Sequence, residues 1–442
     1  MKEKTDTGAR LLQTLTDVYL ALMLSVYLLW PGFGGYETIT EAKFRLFLVL
    51  SLAWCGLMLL LALELRLTQP RGGKQKTGGA FVLRPCEWLL LGYLLCSLIA
   101  ALASPWRADT WLGLGRHEGL LTLTVYVLIF LLIGRFARPA VWMLDVFGAS
   151  MSLNCLLAAV QMFGKNPFGL YPAGVMYFDA GTAYTGVYLG TVGNADLLAA
   201  VLCVAAPAFF YGAWKLRRRW LIAPLALCVY VAVRMDVSAG LLGIAAGVLL
   251  PLPLALPKKY RRIAAAALGA ALLALAVCVA VVPGLPGIFG EAHALLHGEA
   301  DDSFGSGRVF IWRSVWQAVK ERPLFGGGPD TLSRRVTAYF ERYDAAQGLV
   351  IRSGIDAAHN EYLNILANQG VFALLCWLGA LGCSAVRFVR HGAESSAVLL
   401  CGGAVLGYCV QAFFGISMCL TTPYFLIAWA ILENRRKEEQ NR

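Results

Sequence analysis

Long apolar runs alternate along this chain with short polar breaks. Twelve runs stand out, near 12–30, 44–63, 86–103, 119–134, 141–163, 193–213, 220–234, 239–257, 263–282, 361–383, 397–416 and 418–432. A helix needs roughly 20 mostly apolar residues to cross a bilayer, and runs of this length favour helix over strand. The pattern predicts an all-α polytopic membrane bundle of about 12 transmembrane helices. The runs at 220–234 and 418–432 are short for a crossing. No A-x-A cleavage site follows the first run, so it is expected to remain as an anchor.

One interval breaks the rhythm. Most connections are short, but 283–358 holds no apolar run of spanning length. A loop this long is functional or disordered, and its pattern is not that of disorder. In "GRVFIWRSVWQAVKERPLFGGGPDT", Val309, Trp312, Val315, Trp316 and Val319 share one helical stripe, which Pro323 and Gly326–Gly328 end. Arg308, Arg313 and Lys320 fall off that stripe. "DTLSRRVTAYFERYDA" is expected to repeat it with Leu332, Val336, Tyr339 and Tyr343. Two amphipathic helices with Trp and Tyr suggest a partly helical cap on the outer membrane face, or two packing helices of a small outer domain. The expected organisation is helices 1–9 over 1–282, the cap over 283–358, helices 10–12 over 359–432 and a tail over 433–442.

Composition agrees with a bilayer as solvent. The 442 residues are 58% hydrophobic and 15% charged, against about 25% charged in soluble domains. With the N-terminus placed in the cytoplasm, 24 of the 38 Lys and Arg lie on that side. Loops such as "KLRRRW" and "PKKYRR" then obey the positive-inside rule, which puts both termini in the cytoplasm and the long loop outside. The +11 net charge is thus mostly topogenic. No basic stripe marks a nucleic-acid surface. "RGGKQKTGG" reads as a flexible cytoplasmic linker. The twelve cysteines avoid 283–358 and show no zinc or disulfide spacing. The cap itself carries eight Lys/Arg against nine Asp/Glu, so anion binding there needs placed arginines.

Candidate chemistry gathers outside the runs. In "GIDAAHNEYLNILANQG", Asp356 is expected to cap a helix whose first turn holds His359. A helix N-terminus favours neutral imidazole, which can take a proton from a hydroxyl at neutral pH. The plain alternative is an interfacial histidine bonded to headgroups or a loop carbonyl. Asn360 and Glu361 read as capping and orienting residues. Arg116, Arg234, Arg308 and Arg313 suit planar phosphate contact. Arg234, at the edge of an apolar run, is a functional candidate by position or a local partner of Asp236. Arg334 and Arg335 read as solvated surface. Asn194 and Asp196 open the sixth run as outer-cavity lining, or Asn194 simply as a helix cap. Other motifs are incomplete. "GGGPDT" lacks the lysine of a phosphate loop and reads as a turn. "HALLH" offers only His293 and His297 as firm ligands. There is no D-x-D and no G-x-S-x-G, so no metal or other cofactor is expected.

Four stretches together resemble the O-antigen ligase family of polytopic glycan transferases, which also holds O-antigen polymerases and some bacterial O-oligosaccharyltransferases. They are "GRHEGLLTLTVY", "GTVGNADLLAAVL", "GSGRVFIWRSVWQAVKERPLFGGGPDTL" and "AHNEYLNILANQGVFALL". Their order, the long outer loop and the number of runs fit over most of the chain. The resemblance implies a bacterial plasma-membrane enzyme that takes a glycan from undecaprenyl diphosphate. It passes the glycan to an acceptor hydroxyl on a glycan, glycolipid or wall polymer. It implies His359 at the acceptor and Arg308 at the diphosphate. One position departs: where the family has a Ser-Arg-Gly-like stretch, this chain reads "DVSAGLL", with Ala239 for the arginine. Arg234, about one helical turn earlier, is the nearest substitute. Ligase and polymerase share these motifs. A transporter of lipid-linked glycans is the runner-up class, but no internal repeat supports it. A membrane scaffold would need neither Arg308 nor His359.

Overall fold

The computed structural model describes residues 2–67, 82–171, 176–177, 182–183, 189–344 and 349–434. The glycine-rich linker and the tail after Asn434 fall outside them. In chain order the helices are α1 (Lys2–Leu22, extended by a π-turn over Met23–Tyr27), α2 (Ile39–Leu67), α3 (Pro85–Ala103), α4 (Arg107–Leu112), α5 (Leu120–Phe136) and α6 (Val141–Met162). A minimal hairpin of β1 (Met176–Tyr177) and β2 (Thr182–Ala183) precedes α7 (Ala195–Lys215), α8 (Ile222–Met235), α9 (Ser238–Leu249), α10 (Leu252–Ala255) and α11 (Lys258–Val281). Then come α12 (Gly287–Leu296), α13 (Phe304–Glu321), α14 (Leu332–Arg335), β3 (Tyr339–Asp344), β4 (Leu349–Gly354), α15 (Glu361–His391), α16 (Ser396–Gln411) and α17 (Thr422–Leu432).

A helix occupies each of the twelve apolar runs. Among the described residues, eight helical segments are long and apolar enough to cross a membrane, and α5, α16 and α17 are shorter apolar helices. The outer faces carry exposed Leu57, Leu60 and Leu63 on α2, Leu95 on α3, Leu273 on α11 and Leu375 on α15. Apolar surface of this extent calls for hydrocarbon as solvent. Helix α11 is the extreme case, with no buried residue.

One of the two short runs, 418–432, is short for a physical reason. Helix α17 is buried at every residue, and at eleven residues it reaches about 16 Å, roughly half the hydrocarbon core. The chain between α16 and α17 is mostly irregular and largely buried, from Ile416 to Thr421. Irregular backbone at membrane depth is tolerated where protein surrounds it. Helices α7, α9 and α16 pack closely on one another. A Cβ at Gly243 would lie 2.7 Å from the Gly407 carbonyl oxygen, and one at Gly247 2.6 Å from that of Gly403. Small residues let the backbones approach this closely.

The cap is built differently from expectation in one half. Helix α13 forms over the expected stripe and buries Val315, Ala318 and Val319 against Leu332, Val336, Ile355 and Ala367. Trp316 lies outside the buried face, 47% exposed. The second expected helix is only the single turn α14; Tyr339–Asp344 instead pairs antiparallel with Leu349–Gly354. The aromatic residues of "AYFERY" and the β-branched Val and Ile of "LVI" suit paired strands better than a helix.

A backbone clamp fixes the cap to the bundle. Helix α15 is interrupted at Gly370, with φ 86° and ψ 178°. The Gly327 and Gly328 N–H groups donate to the carbonyls of Ala367 and Asn368 at 3.1 and 2.9 Å, and Val371 N–H donates to Pro323. The "GGGPDT" turn thus satisfies backbone groups released by the kink. Arg335 also enters this clamp, donating to the Asn368 side chain at 2.7 Å. It is partly buried, not the solvated surface residue its sequence suggested. Arg334 is half exposed and pairs with Asp109 at 3.1 Å.

Candidate functional site

Four separated stretches meet at the end of the bundle that carries the cap. Asn194 caps α7, its side chain accepting from Leu197 N–H at 3.1 Å. That cap leaves Asp196 in the first turn. Arg308 follows Gly305, Ser306 and Gly307, all three with left-handed backbone, at 61°, 61° and 86° in φ. A Cβ at Gly307 would meet the Phe340 ring at 2.5 Å, so hairpin and turn fit only with glycine there. The turn places Arg308 Nη2 3.5 Å from Asp196 Oδ2. The same guanidinium donates from Nε to the Phe414 carbonyl at 3.0 Å and from Nη1 to that of Gly305 at 2.9 Å.

His359 Nδ1 lies 3.8 Å from Asp196 Oδ2. The helix behind it is capped by Asn360, whose side chain accepts from Leu363 N–H at 3.0 Å. Asp356, expected as the cap, is instead held by Arg116 Nη2 at 2.7 Å. His359 therefore stands just before the helix, with φ 45°, a conformation uncommon outside glycine. Its side chain remains 29% exposed.

The electrostatics follow from this packing. Burial and the Arg116 and Arg308 guanidiniums push the His359 imidazole down to about 4, against the upward pull of Asp196 and Asp356. Burial alone would raise the Asp356 carboxyl, but the Arg116 contact outweighs it and holds it below its usual value. The cluster thus sets two arginines and two acidic side chains around an imidazole that is neutral at neutral pH. The guanidiniums keep unused donors, since each has five N–H groups. Arg116 uses Nη2 on Asp356 and Nη1 on the Met418 sulfur, and its buried Nε has no partner among the described residues.

Other sequence candidates fall outside this cluster. Arg313 pairs with Asp302 at 2.7 Å on the cap surface, 58% exposed. Arg234 ends α8 on the surface and makes no ion pair or hydrogen bond among the described residues. Its expected partner Asp236 has a left-handed φ of 53°. Ala239 is buried in the first turn of α9. His293 Nδ1 meets the Val279 carbonyl and His297 Nδ1 that of His293, both at 2.8 Å. Glu361 is buried and accepts from the Tyr408 hydroxyl at 3.1 Å.

Sequence reasoning missed three acids and a tether. Glu118, two residues after Arg116, is buried and accepts from the Tyr126 hydroxyl at 2.6 Å. Burial pushes its carboxyl up to about 8. Asp330 accepts from Glu118 N–H at 3.4 Å, and burial pushes it up to about 6. Asp356 was read only as a cap. His117 ties the Arg116 loop to α2, with Nε2 2.9 Å from Glu41 and its ring stacked on Phe44 at 4.2 Å. The one visible signal was an acid at the mouth of an apolar run in "GRHEGLLT".

Residues 235–378 match the family model described as O-antigen ligase. The matched segment runs from the last residue of α8 through the cap into α15 and includes Arg308, Asp356 and His359. It begins just after Arg234. No curated protein matches the chain.

Proposed function

From a multi-pass membrane protein with an O-antigen ligase match over 235–378, we propose a metal-independent glycan transferase. It moves a glycan from undecaprenyl diphosphate to an acceptor hydroxyl at the outer face of a bacterial plasma membrane. The cap and the His359 cluster face outward, and both termini face the cytoplasm. The observation that carries this reading is the convergence of Arg116, Asp196, Arg308 and His359 from four stretches far apart in sequence.

The chemistry runs through these groups. The acceptor oxygen attacks the anomeric carbon and forms the new C–O bond. The bond from that carbon to the diphosphate oxygen breaks, and the lipid diphosphate leaves with the electron pair. The acceptor proton passes to His359. Arg308 and Arg116 meet the charge that develops on the leaving diphosphate, in positions fixed beforehand by Asp196, Asp356 and backbone carbonyls. Diphosphate is already a good leaving group, so orientation and placed cations suffice.

Donor binding also arms the base. A free-state imidazole at about 4 is a weak proton acceptor near neutrality. A bound diphosphate offsets the two guanidiniums that depress it and raises its basicity toward the ordinary range. The base is then strongest when the donor is in place.

The test is transfer by purified protein in lipid nanodiscs, with undecaprenyl-diphosphate-linked glycan and candidate acceptors. Acceptor-dependent product supports the reading; one added block identifies a ligase and a ladder of lengths a polymerase. Movement of intact donor across liposomes without transfer would replace the reading with a transporter.

A further inference from the structure

Beneath the His359 cluster, two buried carboxyls face one another across a small void. Glu118, just ahead of α5, and Glu361, at the first position of α15, both line a cavity of about 20 Å³ together with Tyr93, Ser417 and Thr422. A void that size holds about one water molecule, given polar partners. It has them: both carboxyls and the Ser417 and Thr422 hydroxyls line it. Neither carboxyl has a cation within ion-pair distance among the described residues. Tyr126 donates to Glu118 and Tyr408 to Glu361.

Every ionisable group that faces the pair is itself an acid. Tyr93 on α3, Tyr126 on α5, Asp330 in the cap and Cys419 before α17 face Glu118. Tyr93, Tyr362 on α15, and Tyr408 and Cys409 on α16 face Glu361. Two unpaired carboxylates in such a setting would be very costly, and like charges sharing a site cannot both ionise.

The pair also lies directly behind the reactive groups. Glu118 is two residues from Arg116, and its backbone N–H donates to Asp330. Glu361 is two residues from His359, and its backbone N–H donates to the Ala412 carbonyl at 2.8 Å. We propose that Glu118 and Glu361 are a neutral carboxyl pair bridged by one buried water, and that they are positioning residues holding the Arg116 and His359 loops in register for transfer. This rests on the proposed transfer reaction.

The sign of the pH effect follows. A carboxyl whose native state favours the protonated form contributes its full effect below its ordinary value and loses it as pH rises through the raised one. For Glu118 that loss comes near 8. Ionisation there places a charge against Glu361 and pushes the two loops apart.

Two measurements test this together. Difference infrared spectra of the full protein at neutral pH, with and without E118Q or E361Q, report the carbonyl stretch of a protonated acid without any turnover. The expected result is a protonated-acid band in wild type that each variant diminishes by its own share; spectra showing only ionised carboxylate overturn the proposal. The pH profile of transfer is the second readout. Wild type should lose kcat through an alkaline limb near 8. E118Q, which keeps the neutral shape, should flatten that limb, while E118A lowers kcat at all pH by about tenfold or more. An unchanged limb in E118Q, or E118Q as inactive as E118A, overturns it. Failure of wild type to transfer would count against the reaction, and the infrared result stands apart from that outcome.

Discussion

Asp196 Oδ2 lies 3.8 Å from the His359 imidazole and 3.5 Å from the Arg308 guanidinium, so one carboxylate faces both side chains. In the proposed transfer it balances Arg308 while the donor is absent and supports the imidazolium once a proton has been taken. Asp196→Asn removes both effects. Arg308 then meets the diphosphate with unopposed charge, so the donor KM falls. The imidazolium loses its counter-charge, so kcat falls, by about ten- to a hundredfold. Steady-state kinetics with varied donor read the two parameters apart.

The acid side of the pH profile reports His359. The neutral imidazole is the active form, so on this side of the profile activity falls as pH drops. In the free enzyme that fall belongs near 4, and it appears in kcat/KM. With donor bound, the arginines are offset and the limb in kcat moves up toward the ordinary histidine range. Paired kcat and kcat/KM profiles measure the separation. The same depressed value makes the neutral form stabilising above the ordinary 6.5, an effect lost as pH falls toward about 4.

Arginine geometry separates the candidates. Arg308→Ala and Arg116→Ala each remove fixed guanidinium donors and should raise donor KM by about tenfold or more. Arg308→Lys should rescue only part of this, since one ammonium cannot hold the Phe414 and Gly305 carbonyls and a phosphate together. Arg234→Ala should stay within about twofold of wild type, because the side chain lies outside the cluster. Donor titrations of the four variants decide it. An Arg234 variant as impaired as the Arg308 variant would make Arg234 the second phosphate contact.

Gly370→Ala tests the clamp between cap and bundle. The new Cβ would sit 2.2 Å from the Leu324 carbonyl oxygen, at φ 86°. Backbone cannot yield there as a flexible side chain could. The expected loss exceeds about 2 kcal/mol, seen as a lowered unfolding temperature of the purified protein in detergent.

The helices were legible because burial in lipid demands long apolar runs, and nothing else in the chain produces them. Legibility ended where tertiary partners decide the outcome. Asp356 has the right residue type for a cap, but Arg116, 240 positions away in sequence, takes its carboxylate, and Asn360 caps instead. Tyr339 and Tyr343 fit a helical stripe on paper, yet the strand at Leu349–Gly354 claims their backbone. Glu118 could be seen in the sequence but not understood, because its partners Tyr126 and Asp330 come from a helix and a distant turn. Arg308 and His359 were readable only through the motifs around them; their shared neighbour Asp196 belongs to a third stretch.

The most direct measurement is acceptor-dependent release of lipid diphosphate by the purified protein and by His359→Ala, each with a defined undecaprenyl-diphosphate-linked glycan. The account predicts release by wild type that depends on acceptor and falls by at least about a hundredfold in the variant, while both bind donor equally. Equal release by the two proteins would contradict it and return His359 to the role of an interfacial residue.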